Sequence, residues 1–388
     1  MVLARFFEKG RWGSPAETTV AGQSLTAEDQ LFIFMQAGMY LAATRGFAAP
    51  EAQICYDRAE SLCHSLNRPL LLYAALMGQF RFSNNSERLS ASLEIARRIY
   101  ALAQQQNEPA MMIGACMALT ITHFQLGDYE TSAQYVRHGL DIWRSGRAQS
   151  APEEVDVPAG ACLCYDALLK WHSGETASAN AAIEEAISQA KELNDMHGLA
   201  AALHWAAVLA QAEGKPAEVE RLASEVIELS TRQNFAQWRA AGEILRGWAR
   251  SVLGNTTEGI ACIEDGIGDC RARGAIRGLP YYLTLKAQAL YLANRTLEAL
   301  EAIKEADALI EKYEEYEMRS PLYWLRGVFL AAMGAEESQI EASFCAAVKT
   351  AKEQKSISLE KRVEATYAEY RRQKACRLGG HGFRLPLW

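Results

Sequence analysis

The 388-residue sequence lacks the features of a membrane-spanning or secreted chain. It contains no run of 18 or more apolar residues, and the apolar stretch at its start is too short for a signal peptide and is interrupted by Glu8. The net charge of −7 gives no overall attraction to nucleic acid or to anionic lipid. We therefore expect a cytoplasmic protein without a membrane partner, and nucleic acid is disfavoured as a partner.

Cysteine pairs with metal or redox spacing are also absent. The nine cysteines form no CxxC pair, and Cys162 and Cys164, two residues apart, would point to different faces of a helix. An odd number of cysteines scattered through alanine-rich segments is typical of reduced thiols that act as small core residues. We expect reduced cysteines in a reducing compartment.

Motifs for catalysis, metals and cofactors are missing as well. The seven histidines form no HExxH or HxxxH pair. His197 and His204 are seven residues apart, and two helical turns would separate them by about 10 Å, too far to hold one metal ion. Gly214-Lys215 is followed by proline and does not belong to a GxxxxGK[ST] phosphate-binding loop. The sequence thus predicts a protein that is not an enzyme and has no metal or cofactor.

What the sequence does contain is a period of forty residues. Five turn-like positions recur at this spacing: Gly174, Gly214, Gly254, Asn294 and Gly334. Five small residues recur seven positions upstream: Ala167, Ala207, Gly247, Ala287 and Gly327. Such periods are typical of solenoids, in which each unit buries its apolar face only against its neighbours.

Each unit is predicted to contain two antiparallel helices. In the best-formed unit the first helix covers about residues 159–172, a turn covers 173–176, and the second helix covers 177–193. The second helix carries Ala179, Ile183 and Ala186 on one face, and the small residues allow close approach of neighbouring helices. We predict an all-α, tetratricopeptide-like, right-handed superhelical solenoid of about eight helix pairs. Armadillo and HEAT arrays, which have similar periods, are the alternative.

The predicted organisation has three parts. Residues 1–25 form an irregular lead-in, residues 26–356 form the repeat solenoid, and residues 357–388 form a capping helix and tail. The longest irregular segment, residues 144–158, is a loop between the third and fourth units. The segment from Lys349 to Arg384 is locally basic, which a solvated capping helix explains as well as a nucleic-acid site does.

Parts of the later units resemble a known family of large bacterial signalling proteins. The resemblance rests on residues 244–249, 259–260, 279–283, 325–330, 351–356 and 358–360 and on the ending 382–387, and it covers roughly residues 35–388. In that family a class III adenylate/guanylate cyclase domain or a DNA-binding domain precedes a STAND-type ATPase, and tetratricopeptide-like repeats close the chain. The cyclase and ATPase motifs are absent here. The resemblance implies only the role of the repeat region in sensing or docking.

The concave face offers one candidate binding site. In tetratricopeptide arrays the first helix of each unit lines this face. Counting from the small residues places on it an aromatic strip with two polar side chains: Trp171, Trp248, Tyr291 and Trp324, with His204 and Gln288. Aromatic side chains with a polar tip are favoured binding anchors, although long superhelices also bury aromatics between helices.

The leading functional hypothesis is a non-catalytic interaction or sensing module of a bacterial signalling system. It would bind a peptide, a protein partner or a small effector in the concave groove. One alternative is an oligomerisation or architectural segment whose outer helices self-associate. The other, which no motif supports, is an enzyme with a site between helices.

Overall fold

The computed structural model describes residues 19–20, 23–146, 157–375, 383, 385 and 387. Over these residues the chain forms seventeen α-helices in succession. They are α1 Ala27–Arg45, α2 Pro50–Leu66, α3 Pro69–Ser86, α4 Leu89–Gln106, α5 Pro109–Gln125, α6 Tyr129–Arg144, α7 Pro158–His172, α8 Thr176–Glu192, α9 Met196–Ala212, α10 Pro216–Gln233, α11 Ala236–Val252, α12 Thr256–Ala272, α13 Leu279–Leu292, α14 Thr296–Tyr313, α15 Arg319–Met333, α16 Glu337–Glu353 and α17 Ile357–Ala375.

These helices form eight antiparallel pairs, from α1–α2 to α15–α16, followed by the single helix α17. Each first helix also packs against the first helix of the next pair. The prediction of an all-α, right-handed, tetratricopeptide-like solenoid of about eight pairs is confirmed. A two-residue antiparallel pairing of Thr19–Val20 with Gln23–Ser24 precedes α1, and a short 3₁₀ turn, Tyr316–Met318, precedes α15.

The predicted turn register closes the first helix in the fourth to eighth pairs. All five of its residues have a left-handed backbone, with φ from +60° at Asn294 to +108° at Gly254. This conformation lets the last amides of a helix bond back to its final turn, as Glu175 N does to the Lys170 carbonyl. Glycine adopts it without steric cost, and asparagine is the side chain that tolerates it best.

A second left-handed register, which the sequence reading did not include, ends the second helices. Its members are Asn67, Asn107, Gly146, Asn194, Asn234, Gly274, Glu314 and Lys355. Asparagine is common here, but the last two members are charged residues that seldom adopt positive φ. A left-handed residue therefore follows both helices of a unit. The one after the second helix is hard to recognise in the sequence, because asparagine, glycine, glutamate and lysine all occur there.

The predicted small residues lie where helices cross. Ala167, Ala207 and Ala287 are fully buried. A Cβ atom on Gly247 would lie 2.6 Å from the Gly259 carbonyl oxygen of the paired helix α12. Contacts this short force the backbones apart, so glycine at this position allows the close packing of α11 on α12.

The superhelix is wound tightly enough for distant units to touch. Gln237 on α11 accepts a hydrogen bond at 3.0 Å from the backbone amide of Phe47, 190 residues earlier, and Ser356 lies 2.7 Å from His172, 184 residues earlier. These separations correspond to about five units. The expectation that each unit contacts only its neighbours is therefore wrong for this chain. One turn of the superhelix closes on the next.

Most of the predicted lead-in and tail lies outside the described residues, as do residues 147–156 of the predicted loop and Cys376. Six of the eight described cysteines are buried. In the part of the chain that the structure describes, no helix combines the length and the apolar character needed to cross a membrane.

Candidate functional site

The concave side of the superhelix encloses a cavity of about 180 Å³. Its walls come from the first helices α7, α9, α13 and α15, from the end of α5, from the segment around the 3₁₀ turn and from α17. The walls are mainly aromatic: Phe124, Tyr129, Tyr165, Trp171, Trp205, Tyr281, Tyr282 and Trp324 all line it. An apolar cavity with a few convergent polar groups is the usual form of a small-ligand site.

Four of the six predicted site residues line this cavity. They are Trp171, His204, Gln288 and Trp324, and each is largely buried in the described structure. In the fourth, fifth, seventh and eighth pairs, a residue chosen by the counting rule thus lines the cavity. The binding role of these residues stays a prediction.

The other two predicted residues, Trp248 and Tyr291, lie outside the cavity lining. Trp248 has no exposed surface, and its Nε1 donates a hydrogen bond at 3.0 Å to Oε1 of Gln288. Tyr291 packs against Phe329 with ring centroids 5.1 Å apart. These rings therefore pack between helices, and Trp248 is hydrogen-bonded to Gln288, which lines the cavity.

A buried ionic cluster that the sequence reading missed lies at one end of the cavity. Arg277 precedes α13, and its side chain pairs with that of Glu315 at 3.2 Å while both are almost completely buried. Arg277 also donates from Nε to the Asn84 carbonyl at 2.6 Å and from Nη2 to the Glu87 carbonyl at 3.1 Å. The second oxygen of Glu315 accepts from the Gly278 amide. The cluster joins α3 and its C-terminal end to the seventh pair.

A second carboxyl, that of Glu317, lies beside this cluster and lines the cavity. Its Oε2 atom is buried and has no hydrogen-bond partner. Burial, together with the charge of Glu315, raises the pKa of Glu317 well above its ordinary value. Compared with an exposed glutamate, Glu317 is therefore shifted towards its protonated form, in which the carboxyl group can donate a hydrogen bond.

Two histidines of the cavity wall are neutral for the same reason. Burial lowers the pKa of His204 to about 4, and burial and then the charge of Arg362 lower the pKa of His172 to about 3. Nδ1 of His172 bonds to Ser356, and its ring stacks on Tyr129 with centroids 4.1 Å apart. Nδ1 of His204 is buried without a partner. Both rings are therefore uncharged near neutral pH and contribute aromatic surface to the cavity wall.

The capping helix α17 closes the remaining side of the cavity. Ser358 donates to the Trp171 carbonyl, and Nη2 of Arg362 donates to the Ala212 carbonyl at the end of α9. The guanidinium carbon of Arg362 lies 5.4 Å from the ring centroid of Trp171 and 5.7 Å from that of Trp324. The sequence reading treated this helix as a polar cap, yet it contributes a cation to the candidate site.

A second chamber of about 160 Å³ adjoins the first and shares wall residues with it, among them Tyr165, His204 and Trp205. Its far wall is formed by Phe47, Phe80 and Trp238. Among the described residues, no group of three or more His, Cys, Asp or Glu side chains is placed to hold a metal ion. The arrangement is suited to binding an apolar group next to hydrogen-bonding and charged groups.

Comparison with known proteins agrees with this architecture. The family model of anaphase-promoting complex subunit 5 matches residues 76–151 and 159–213, which is about a third of the chain. An uncharacterized protein of Rhizobium meliloti (strain 1021) is 23% identical over 276 residues, which are 71% of this chain. The chain spans 27% of the length of that relative.

Two solved structures share the fold over most of their length. A Rap protein complexed with competence and sporulation factor has a TM-score of 0.59 and 9% identity, with 89% of this chain and 99% of that chain covered. NprR in complex with its cognate peptide NprX has a TM-score of 0.59 and 13% identity, with coverages of 91% and 95%. At these identities the likeness shows a common helical-repeat fold.

Proposed function

We propose that this chain is a non-catalytic sensing module of a bacterial signalling system, and that it binds a short peptide or a small effector in the central cavity. The observation that carries the proposal is the aromatic cavity itself. First helices from four pairs converge on it, and α17 covers it. A cavity bordered by elements from distant units can couple ligand binding to the winding of the whole superhelix.

Two comparisons support this choice of ligand. The solved Rap and NprR structures have the same type of fold and were determined with a factor and a cognate peptide bound. The resemblance to the repeat region of cyclase and STAND ATPase proteins supports the signalling context. The Rhizobium meliloti relative, several times the length of the aligned region, is compatible with such a repeat region acting within a larger protein.

A cavity-filling variant tests the proposal. Val208 on α9 lines the cavity, and Val208→Trp should occupy the space that a ligand needs. The wild-type protein is incubated with a pool of pentapeptides, and the retained peptides are identified by mass spectrometry. Leu253→Trp, at an exposed position outside the cavity lining, is the matched control.

We expect the wild type and Leu253→Trp to retain the same peptides, and Val208→Trp to bind them at least about tenfold more weakly. Circular dichroism must show that both variants are folded. Equal retention by Val208→Trp would show that the peptides bind elsewhere, and retention of none by the wild type would contradict peptide sensing.

Self-association remains the second candidate, because large apolar side chains are exposed on the first two pairs. Phe32, Ile54 and Leu70 are exposed on α1, α2 and α3, with 67% of Phe32 accessible. Exposed apolar patches commonly mark contact surfaces. Light scattering separates the two candidates, since a concentration-independent monomer has no self-association role.

A further inference from the structure

The wall of the central cavity carries a cation on the capping helix α17. Arg362 lines the cavity, and among the ion pairs of the described residues none includes it. One of its donors is used by the Ala212 carbonyl, and its planar face lies near the rings of Trp171 and Trp324. Burial lowers its pKa to about 10, so the guanidinium is still protonated near neutral pH.

A guanidinium in this position lowers the stability of the fold unless an anionic partner compensates its charge. Arg362 is half-buried, and a charge that is partly removed from water is normally paired, because desolvation is unfavourable for an isolated ion. The other charged groups of the cavity are not paired with Arg362: Glu315 is engaged by Arg277 and the Gly278 amide, and the pKa of Glu317 is raised by burial and by the charge of Glu315. Arg362 is therefore the cation of the cavity that is available to a ligand.

The neutral groups of the wall add further donors. Nε1 of Trp248 can only donate a hydrogen bond, so the Gln288 atom that it contacts must be the amide oxygen. The amide nitrogen of Gln288 can then donate to a ligand in the cavity. Gln211 likewise accepts from the Tyr281 hydroxyl through its oxygen, at 3.3 Å. A cation with amide donors nearby favours an acceptor-rich, anionic ligand group.

The size of the cavity limits what accompanies the anion. An engineered protein cavity of about 150 Å³ accommodates benzene. The chamber of about 180 Å³ here can therefore hold one aromatic or branched aliphatic side chain, and the adjoining chamber of about 160 Å³ can hold a second. A whole folded partner does not fit, but the end of a chain does.

We propose that Arg362 binds the carboxylate of an amphipathic ligand whose apolar group occupies the aromatic cavity. This proposal rests on the proposed function and specifies its ligand class. A carboxylate matches the planar guanidinium, with which it can form two parallel hydrogen bonds. The same chemistry is offered by the free C-terminus of a peptide with an apolar last residue and by a small free carboxylic acid.

The test compares an acid with its neutral amide. The probes are N-acetyl-phenylalanine, N-acetyl-phenylalanine amide, and the pentapeptide Ala-Ala-Ala-Ala-Phe with a free or an amidated C-terminus. Their dissociation constants are measured with the complete protein by calorimetry. We expect each acid to bind the wild type at least about tenfold more tightly than its amide, since a charge-assisted pair is lost in the amide.

Arg362→Met should abolish this preference, and Lys361→Met is the matched control. Lys361 is the preceding residue of α17 and is exposed, so its replacement removes the same charge without touching the cavity. Arg362→Met keeps an unbranched apolar stem and removes a half-buried charge that has no carboxylate partner among the described residues, so its melting temperature should stay close to that of the wild type. Loss of preference in a folded Arg362→Met protein, with preference retained in Lys361→Met, supports the proposal.

The outcomes separate this proposal from the proposed function. Equal binding of acid and amide by the wild type overturns the role of Arg362 but leaves the cavity as a ligand site. Binding of none of the four probes contradicts the carboxylate class, and if the pentapeptide pool is also not retained, peptide sensing as the proposed function fails too. Tighter binding of the pentapeptide than of N-acetyl-phenylalanine identifies a peptide C-terminus as the source, whereas equal affinity identifies a small acid.

Discussion

Arg277 should hold successive turns of the superhelix together, and Arg277→Ala should release them. Its guanidinium makes three bonds at once: to Glu315, to the Asn84 carbonyl and to the Glu87 carbonyl. The side chains of Arg277 and Glu315 are only 7% and 3% exposed. Alanine therefore leaves a buried carboxylate without its cation and two carbonyls without this donor. Breaking a buried pair in this way costs about 3–5 kcal/mol.

The control is Arg295→Ala. Arg295 pairs with Glu298 three residues later, but about half of each side chain is exposed. Solvent screens exposed pairs of this kind and they contribute little to stability, so this variant should unfold almost as the wild type does. Both changes delete one arginine and break one ion pair, so a difference between the stabilities of the two variants reports the burial of the Arg277–Glu315 pair.

Urea unfolding monitored by circular dichroism gives the free energies, and small-angle X-ray scattering gives the radius of gyration. We expect Arg277→Ala to be destabilised by about 3 kcal/mol or more and to have a larger radius, because α3 separates from the seventh pair. The double variant Arg277→Met/Glu315→Met should recover part of the loss, since no unpaired charge remains. Arg277→Ala with the stability and radius of Arg295→Ala would refute the reasoning.

Two further predictions follow from the packing and the buried histidines. Gly247→Ala should destabilise the fold by about 1–3 kcal/mol, because its Cβ would lie 2.6 Å from the Gly259 carbonyl oxygen. Gly268→Ala is the control: open space surrounds this position, so alanine should stabilise the helix by about 0.5–1 kcal/mol. Thermal unfolding of both variants checks these values. The folded-state pKa of His204, about 4, is below its ordinary 6.5, so the unfolded chain binds the extra proton and stability falls as pH decreases between these values. His204→Gln should therefore lose roughly 2 kcal/mol less than the wild type between pH 7 and pH 5 in urea unfolding, and an equal loss would contradict neutral burial of this ring.

The local design of the fold could be predicted from the sequence. The forty-residue period gave the helix pairs, and the glycine and asparagine positions of the turns have the left-handed backbone that these residues suit. Small residues such as Gly247 mark helix crossings because a larger side chain cannot fit there. These features depend on contacts within one unit or between neighbours, which the repeat pattern records directly.

The candidate site could be predicted only in part. Trp171, His204, Gln288 and Trp324 follow from the helical period, because it determines which face of a first helix points inward. Arg277, Glu315 and Glu317 precede helices in connecting segments that the repeat does not specify. Charged residues in connections are ordinarily solvated, so the sequence contains no signal that these are buried.

The winding of the superhelix was decided by the tertiary structure alone. Each unit rotates by a small angle relative to the next, and that angle depends on the packing of every interface. Over about five units the rotations add up, so that Gln237 meets Phe47 and Arg277 meets Asn84, contacts that no single repeat encodes. The same accumulation buries Trp248, closes the groove into a cavity, and brings Arg362 of the capping helix against Trp171, 191 residues away in the chain.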